Sequence, residues 1–378
     1  MQDYFDNSWT LTEILFSSLI SDSAFYVPPK HNLRHPMIFY YGHPAALYIN
    51  KLRVAGLLHE PINAYFETIF ETGVDEMSWD DLSKNSMAWP SVAEVQEYRR
   101  EVYRVVSGLI QSLKKEQLQN IDQNSPLWSL AMSFEHERIH LETSSVLINE
   151  LPLKYLRHPK HLPPYHNSIP AQDVYEPQAG VHYPHNSMID TAACRVTLGK
   201  PLDFPGFGWD NEYGKREYDL PAFRASKYKV SNGEFLEFVK SGGYGTREHW
   251  SDAGWAWRSY RNVKWPTFWQ SVGPQGLHHF RLRLMFDEVP MPWDWPVTVN
   301  LHEAEAFCSW RNATVAEGSV GGHWRYRLLS ELEYKALLDV AITSSGVRDP
   351  VLHSNNGRLS ESVRNTSSIS ASPTQYMC

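Results

Sequence analysis

The sequence predicts an α plus α+β protein, in which a helical bundle precedes a domain of short strands and short helices. Two observations support this division. Residues 1–151 contain four segments whose apolar side chains recur every three or four positions, which is the period of an α-helix. Residues 191–345 contain short apolar runs, frequent turns and dense aromatic side chains, as expected for short strands and helices joined by irregular loops.

Four helical segments make up the predicted bundle, at residues 9–19, 36–58, 91–118 and 125–151. The second segment is apolar almost all round and should therefore be buried. The third has acidic residues in its first turn, and the fourth has Ser125 as a candidate N-cap with Pro126 at the first helical position. Four such segments predict an antiparallel four-helix bundle.

The chain after the bundle changes in composition. Residues 152–190 are rich in proline and histidine without an apolar period, which predicts an extended linker over the surface. Their histidines could suggest a metal site, but their dispersion among prolines favours ordinary loop composition. In the second domain, helices are predicted at residues 231–241 and 301–310, among strands and loops. The Ser-rich residues 346–378 predict a disordered tail.

Charge and composition exclude several classes of protein. The 35 basic and 43 acidic residues give a net charge of −8, which argues against a broad nucleic-acid or anionic-membrane surface. The chain has no signal-peptide pattern and no apolar run long enough to span a membrane. Three cysteines do not form a disulfide framework. These features predict a soluble, cytoplasmic protein without nucleic-acid or membrane partners.

The most specific local pattern is H-E-x-x-H, which runs from His136 to His140 inside a predicted helix. Positions four apart differ by roughly 40° around a helix, so the two histidines share one face, one turn apart. One metal ion can be held by two imidazoles at this spacing. Two surface histidines with ordinary hydrogen bonds would produce the same spacing.

The pattern also matches the zinc proteases, with Glu137 as the general base. The extended protease motif requires Gly and His where this chain has Thr143 and Val146, so this interpretation is the weaker one.

A third metal ligand should come from another helix. Glu142 follows His136 by six residues, about 240° around the helix, and therefore points away from the shared face. His43 lies in the apolar second segment, where a buried histidine needs a partner. It is the candidate third ligand, and a hydrogen-bonded core histidine is the alternative.

The arrangement of one early histidine and a later His-x-x-x-His pair resembles the metal-binding bundle of the DinB-like superfamily. The second half resembles the formylglycine-generating-enzyme (sulfatase-modifying factor, C-type-lectin-like) fold. The matching stretches are FGWDNE (207–212), LPAF (220–223), VSNGEF (230–235), GGY (242–244), WSDAGWAW (250–257) and a divergent RLLSELEY (327–334). In this order the two domains resemble the non-haem iron sulfoxide synthases of ergothioneine and ovothiol biosynthesis. MPWDWPVTVN (291–300) and the His-x-x-x-His-x-Glu form look most like the ovothiol-type 5-histidylcysteine sulfoxide synthases.

This resemblance implies a site and a reaction. His43, His136 and His140 would hold Fe(2+), and the protein would use O₂ to join the sulfur of cysteine to the imidazole ring of histidine as a sulfoxide. Arg99 would bind the carboxylate of the thiol substrate, for which a guanidinium is well suited. A solvated charged helix face is the alternative interpretation of Arg99 and its charged neighbours.

The resemblance ends at about residue 338. The family's catalytic tyrosine lies in the part without a match, so no catalytic residue is assigned. This departure predicts a C-terminally truncated form with a partial second domain. A non-catalytic metal-binding or regulatory isoform is therefore the alternative function.

Overall fold

The computed structural model describes residues 1–30, 34–71, 88–118, 121–316 and 325–345. The chain divides into two compact units. The first comprises Met1–Pro164 and Leu284–Asp287, and the second comprises Tyr165–Arg283 and the described residues from Glu288 onward. No helix within these ranges is both long and apolar enough to cross a membrane. The predicted disordered tail at 346–378 lies outside the described residues.

The first unit is a helical bundle. Its helices are α1 (Gln2–Phe16), α2 (Met37–Val54), α3 (Ala64–Ile69), α4 (Val92–Ser112) and α5 (Trp128–Glu150). The four long helices pack together, with both α2 and α1 against α4 and α5. The aromatic contacts Tyr40–His140 and Tyr48–Phe134 show that α2 and α5 run antiparallel. The predicted four-helix architecture is thus confirmed, and the short α3 is an addition to it.

The helix ends show where local signals determine the structure. Ser91 and Glu94 form a reciprocal capping box at the start of α4, where the sequence predicted the helix to begin. The predicted N-cap of α5 is wrong by two residues, because Ser125 Oγ accepts from the backbone N–H of Leu127 within a preceding turn. Helix α1 also begins earlier than predicted, because Phe5, among polar neighbours, is fully buried in the core.

The described part of the second unit contains three small antiparallel sheets. Strand β1 (Met188–Thr191) pairs with β4 (Phe223–Ser226), and β2 (Cys194–Leu198) pairs with β3 (Arg216–Leu220). The third sheet has the order β5-β6-β7, and its strands are Trp269–Ser271, Phe280–Arg283 and Glu288–Pro290.

Four helices accompany the sheets in the described part of the second unit: α6 (Asn232–Lys240), α7 (Asp252–Arg261), α8 (Leu301–Ala316) and α9 (Glu331–Ser345). Helices α6 and α8 were predicted, although α8 is longer than expected. The prediction of strands or loops at α7 and α9 is wrong. Both helices begin at a serine that caps the first turn, Ser251 bonding Gly254 and Ser330 bonding Glu333.

The aromatic side chains of the second half form the core of this unit. Trp293 is almost fully buried, with the ring of Trp269 edge-on to it at 6.0 Å. Its indole N–H donates a 2.7 Å hydrogen bond to the carbonyl of Val174. Phe235 and Phe238 on α6 extend the same set of ring contacts. The aromatic excess of the sequence is therefore structural.

The predicted linker at 152–190 is mostly irregular, and hydrogen bonds attach its first part to the first unit and its last part to the second unit. Near its start, the backbone N–H of Arg157 donates to the carbonyl of Ser18 at the end of α1. Farther along, the hydroxyl of Tyr183 donates to Glu237 on α6 within the second unit. Its histidines do not assemble into a ligand cluster; the group of potential metal ligands found among the described residues lies in the bundle.

Candidate metal centre

Three histidine side chains converge inside the bundle. His43 lies on α2, and His136 and His140 lie one turn apart on α5. One ring nitrogen from each histidine lies within 4.8 Å of the others. The Nε2 atoms of His43 and His136 are 3.3 Å apart, and those of His136 and His140 are 3.2 Å apart. The structure therefore brings together the three residues that the sequence singled out.

The spacing of these nitrogens suits a single metal ion. For a metal–nitrogen bond of about 2.1 Å, an N···N separation of this size corresponds to an angle of roughly 100° at the metal. That angle lies between the values for octahedral and tetrahedral coordination. The buried Nδ1 atoms of His136 and His140 have no hydrogen-bond partner among the described residues. Neutral imidazoles with converging Nε2 atoms are the donor set that Fe(II) and Zn(II) accept.

His43 is oriented by residues on two helices. Its Nδ1–H donates to the carbonyl of Phe70, the C-cap residue of α3, which leaves the lone pair of Nε2 directed at the other two histidines. The ring of Phe39, one turn earlier on α2, stacks on His43 at 5.1 Å between centroids. A side chain at Gly42 would collide with the ring of Phe70 at 2.5 Å, so the glycine permits the close approach of α3.

Burial keeps the α5 histidines neutral. Removal from water lowers the pKa of His136 to about 3 and that of His140 to about 2, and the nearby His43 adds to both shifts. A metal ion binds the unprotonated imidazole, so no proton has to be displaced from these two side chains near pH 7.

Glu137 does not face the three histidines. Its carboxylate accepts hydrogen bonds of 2.9 Å from Thr12 of α1 and from Tyr48 of α2, and the residue is fully buried. Burial raises the pKa of Glu137, and the charge of nearby Arg99 opposes that shift. The carboxylate of Glu137, which would be the general base of a zinc protease, is thus held in the core of the helical bundle. Glu142, which the helical wheel predicted to point away from the face of the two histidines, is exposed.

Arg99 is buried, with 1% of its side chain exposed. Its Nε donates to Glu13 at 2.7 Å, and its Nη1 donates to the carbonyl of Tyr41 at 2.9 Å. The guanidinium also lies over the ring of Trp9, 4.2 Å from the centroid. Arg99 therefore does not belong to the solvated charged face that was the alternative interpretation. Its binding of a substrate carboxylate stays a prediction.

Sequence reasoning did not find the residues that support the histidines. Helix α3 is only six residues long, too short to show an apolar period. The one local signal was Asn63, whose side chain caps α3 by accepting from Phe66 N–H. The contact between Phe70 and His43 joins positions 27 residues apart, and no local pattern predicts it.

Comparison with known proteins agrees with both halves of the chain. Residues 4–144 match the DinB superfamily, and residues 174–339 match the sulfatase-modifying factor enzyme 1-like domain.

Three named proteins are similar to parts of this chain. A hercynine oxygenase from Mycolicibacterium thermoresistibile is 38% identical over 118 residues, which is 31% of this chain and 25% of that protein. A hercynine oxygenase from Mycobacterium tuberculosis is 39% identical over 106 residues, covering 28% of this chain and 23% of that protein. Ergothioneine biosynthesis protein 1 of Neurospora crassa is 27% identical over 254 residues, covering 63% of this chain and 27% of that protein.

The matched part of this chain spans about a quarter of the length of each of these relatives. In this chain the DinB superfamily match precedes the sulfatase-modifying factor match, in the order of the two units described above. The chain therefore combines a DinB superfamily domain with a sulfatase-modifying factor enzyme 1-like domain, and it is similar to hercynine oxygenases and to ergothioneine biosynthesis protein 1.

Proposed function

We propose that this protein is a non-haem iron(II), O₂-dependent sulfoxide synthase that joins the sulfur of cysteine to the imidazole ring of histidine. The observation that carries this proposal is the convergence of three buried histidine nitrogens inside the DinB-like bundle. The similarity to hercynine oxygenases and to ergothioneine biosynthesis protein 1 supports the reaction class. The ovothiol type is supported by the His-x-x-x-His-x-Glu form of the motif and by the MPWDWPVTVN stretch at 291–300.

In this proposal His43, His136 and His140 hold Fe(II) through their Nε2 atoms. Iron held by three neutral ligands would supply the redox chemistry that couples O₂ reduction to thiol oxidation. The protein contributes the burial that keeps the imidazoles unprotonated and the Phe70 carbonyl that fixes the tautomer of His43. The predicted role of Arg99 is to bind the substrate carboxylate.

The overall reaction balances without a further reductant. A thiol and an imidazole C–H give up two hydrogens and form one carbon–sulfur bond. One oxygen atom of O₂ enters the sulfoxide, and the other leaves as water with those two hydrogens. The four electrons that reduce O₂ all come from the two organic substrates.

The imidazole substrate can be identified directly. Several relatives are named for hercynine, whereas the ovothiol-type motifs favour unmodified histidine. The protein would be loaded with Fe(II) without oxygen, then given O₂, cysteine and either histidine or hercynine. We expect the mass of the coupled sulfoxide with histidine; product from hercynine alone would overturn the ovothiol assignment.

The metal site is tested by two matched histidine variants. His43→Ala should lose bound iron, whereas His161→Ala, at an exposed position of the irregular segment, should retain it. Equal iron content in both variants would contradict the three-histidine site. Iron bound at this site without any coupled product would instead support the alternative of a non-catalytic metal-binding or regulatory protein.

A further inference from the structure

Glu137 is the central residue of a buried polar network, and the proposed reaction gives Glu137 itself no role. Its Oε1 accepts from Thr12 on α1 and lies 3.8 Å from a guanidinium nitrogen of Arg99 on α4, and its Oε2 accepts from Tyr48 on α2. A single carboxylate on α5 therefore contacts side chains of the three other long helices. Arg99 supplies the positive charge that a buried carboxylate needs, and Glu13 at 2.7 Å balances Arg99 in turn.

The network acts on the same two helices that carry the metal ligands. Tyr48 lies on α2 with His43, and Glu137 lies on α5 between His136 and His140. Seen along α5, the two histidines lie about 60–100° to one side of Glu137. The bond between Tyr48 and Glu137 therefore limits how far α5 can rotate relative to α2.

A small rotation of α5 would be enough to disturb the site. Turning a helix by roughly 10° moves an atom at the outer radius of its side chains by about 1 Å. Metal–ligand distances tolerate changes of only about 0.2 Å. The three histidines therefore need α5 held to within a few degrees.

We propose that Glu137, the acidic residue of the H-E-x-x-H pattern, is a positioning residue that sets the rotation of α5 through Tyr48, Thr12 and Arg99. In this role it acts on the metal through His136 and His140 and does not touch the reacting atoms. The proposal rests on the proposed metal site at the three histidines. It assigns the glutamate of the pattern to helix packing, with no proton transfer at Glu137.

The test measures Co(II) binding to the metal-free protein by its visible absorption, with Co(II) alone as the probe. Tyr48→Phe should weaken Co(II) binding by about tenfold and shift the absorption bands, because outer contacts of this kind typically change metal affinity by about 10–100-fold. Glu137→Ala should weaken it further. Glu137→Gln should restore part of the loss, since an amide can still accept from Thr12 and bond to Tyr48.

Tyr103→Phe is the matched control. Its hydroxyl donates a 2.9 Å bond from α4 to Asp6 on α1, so the variant loses a cross-helix bond without touching α5. We expect its Co(II) affinity and spectrum to match the wild type. Equal affinities for Tyr48→Phe and Tyr103→Phe would overturn the positioning role, even if Glu137→Ala fails to fold. Failure of the wild-type protein itself to bind Co(II) would instead count against the metal site.

Discussion

Gly42→Ala should lower metal affinity strongly while changing the free energy of unfolding only slightly. A Cβ at Gly42 would lie 2.5 Å from two atoms of the Phe70 ring, and atoms of this kind are essentially never closer than 3.0 Å. The ring must therefore move by at least 0.5 Å. It is fully buried, stacked on Trp89 and edge-on to Phe66, so it cannot turn away into solvent. The displacement should pass to the backbone of Phe70, whose carbonyl orients His43.

Two opposing terms determine the stability of this variant. Forcing extra atoms into a packed core costs roughly 1–3 kcal/mol. Replacing glycine by alanine inside a helix stabilises by roughly 0.5–1 kcal/mol. The net loss of unfolding free energy should therefore be about 0–2.5 kcal/mol. Metal affinity should fall by about tenfold or more through the lost orientation of His43.

Gly108→Ala provides the control, because Gly108 lies within α4 and a Cβ there would meet no atom within 4 Å. It should stabilise the metal-free protein by roughly 0.5–1 kcal/mol in chemical denaturation and leave metal affinity unchanged. Adding Phe70→Leu to Gly42→Ala removes the colliding ring atoms but keeps the carbonyl, and should recover part of the affinity. Wild-type metal affinity in Gly42→Ala would refute the coupling of α3 to His43.

Three further predictions concern the metal, acid stability and the second unit. Fe(II) at 100 times its dissociation constant should stabilise the wild type by about 2.7 kcal/mol in anaerobic denaturation, and His136→Ala should abolish this gain. The hydrogen bond from Arg327 lowers the pKa of Glu333 from 4.5 to about 2, so stability from this pair should be full above about pH 4.5 and fall as the pH drops toward 2; Arg327→Met should reduce that acid dependence in a circular-dichroism titration. Trp293→Phe should lower the unfolding free energy by about 1–3 kcal/mol in calorimetry, because it leaves the Val174 carbonyl without its donor; an unchanged melting temperature would contradict this.

The bundle was predictable because its signals are local. Helix α2 is buried on almost every side and reads as a continuous apolar segment, and α4 carries both a helical period and a capping box. The helices α7 and α9 were missed for different reasons. Helix α7 has many aromatic residues and only one buried residue, so the sequence around it shows no clear apolar stripe. Helix α9 begins with the S-x-x-E pattern at Ser330, a capping signal that is present in the sequence but lies in a segment without a helical apolar period.

In the candidate site too, the residues with local signals were predictable and those that depend on distant contacts were not. The α5 pair follows from a spacing of four on one helix, and His43 follows from the need of a buried histidine for a partner. Their supporting contacts join residues far apart in sequence: Thr12 and Tyr48 reach Glu137 across 125 and 89 positions. Such contacts depend on which helix faces cover one another, and this is a property of the assembled bundle.

The H-E-x-x-H pattern is compatible with two different sites, and the packing around its glutamate discriminates between them. A general base must reach water at the metal, whereas a carboxylate covered by other helices must find donors among them or remain neutral. In this bundle Thr12 and Tyr48 supply the donors and Arg99 supplies the charge, so the inward orientation of Glu137 is the stable one. The residues that distinguish this site from a protease site therefore lie outside the motif, on α1, α2 and α4.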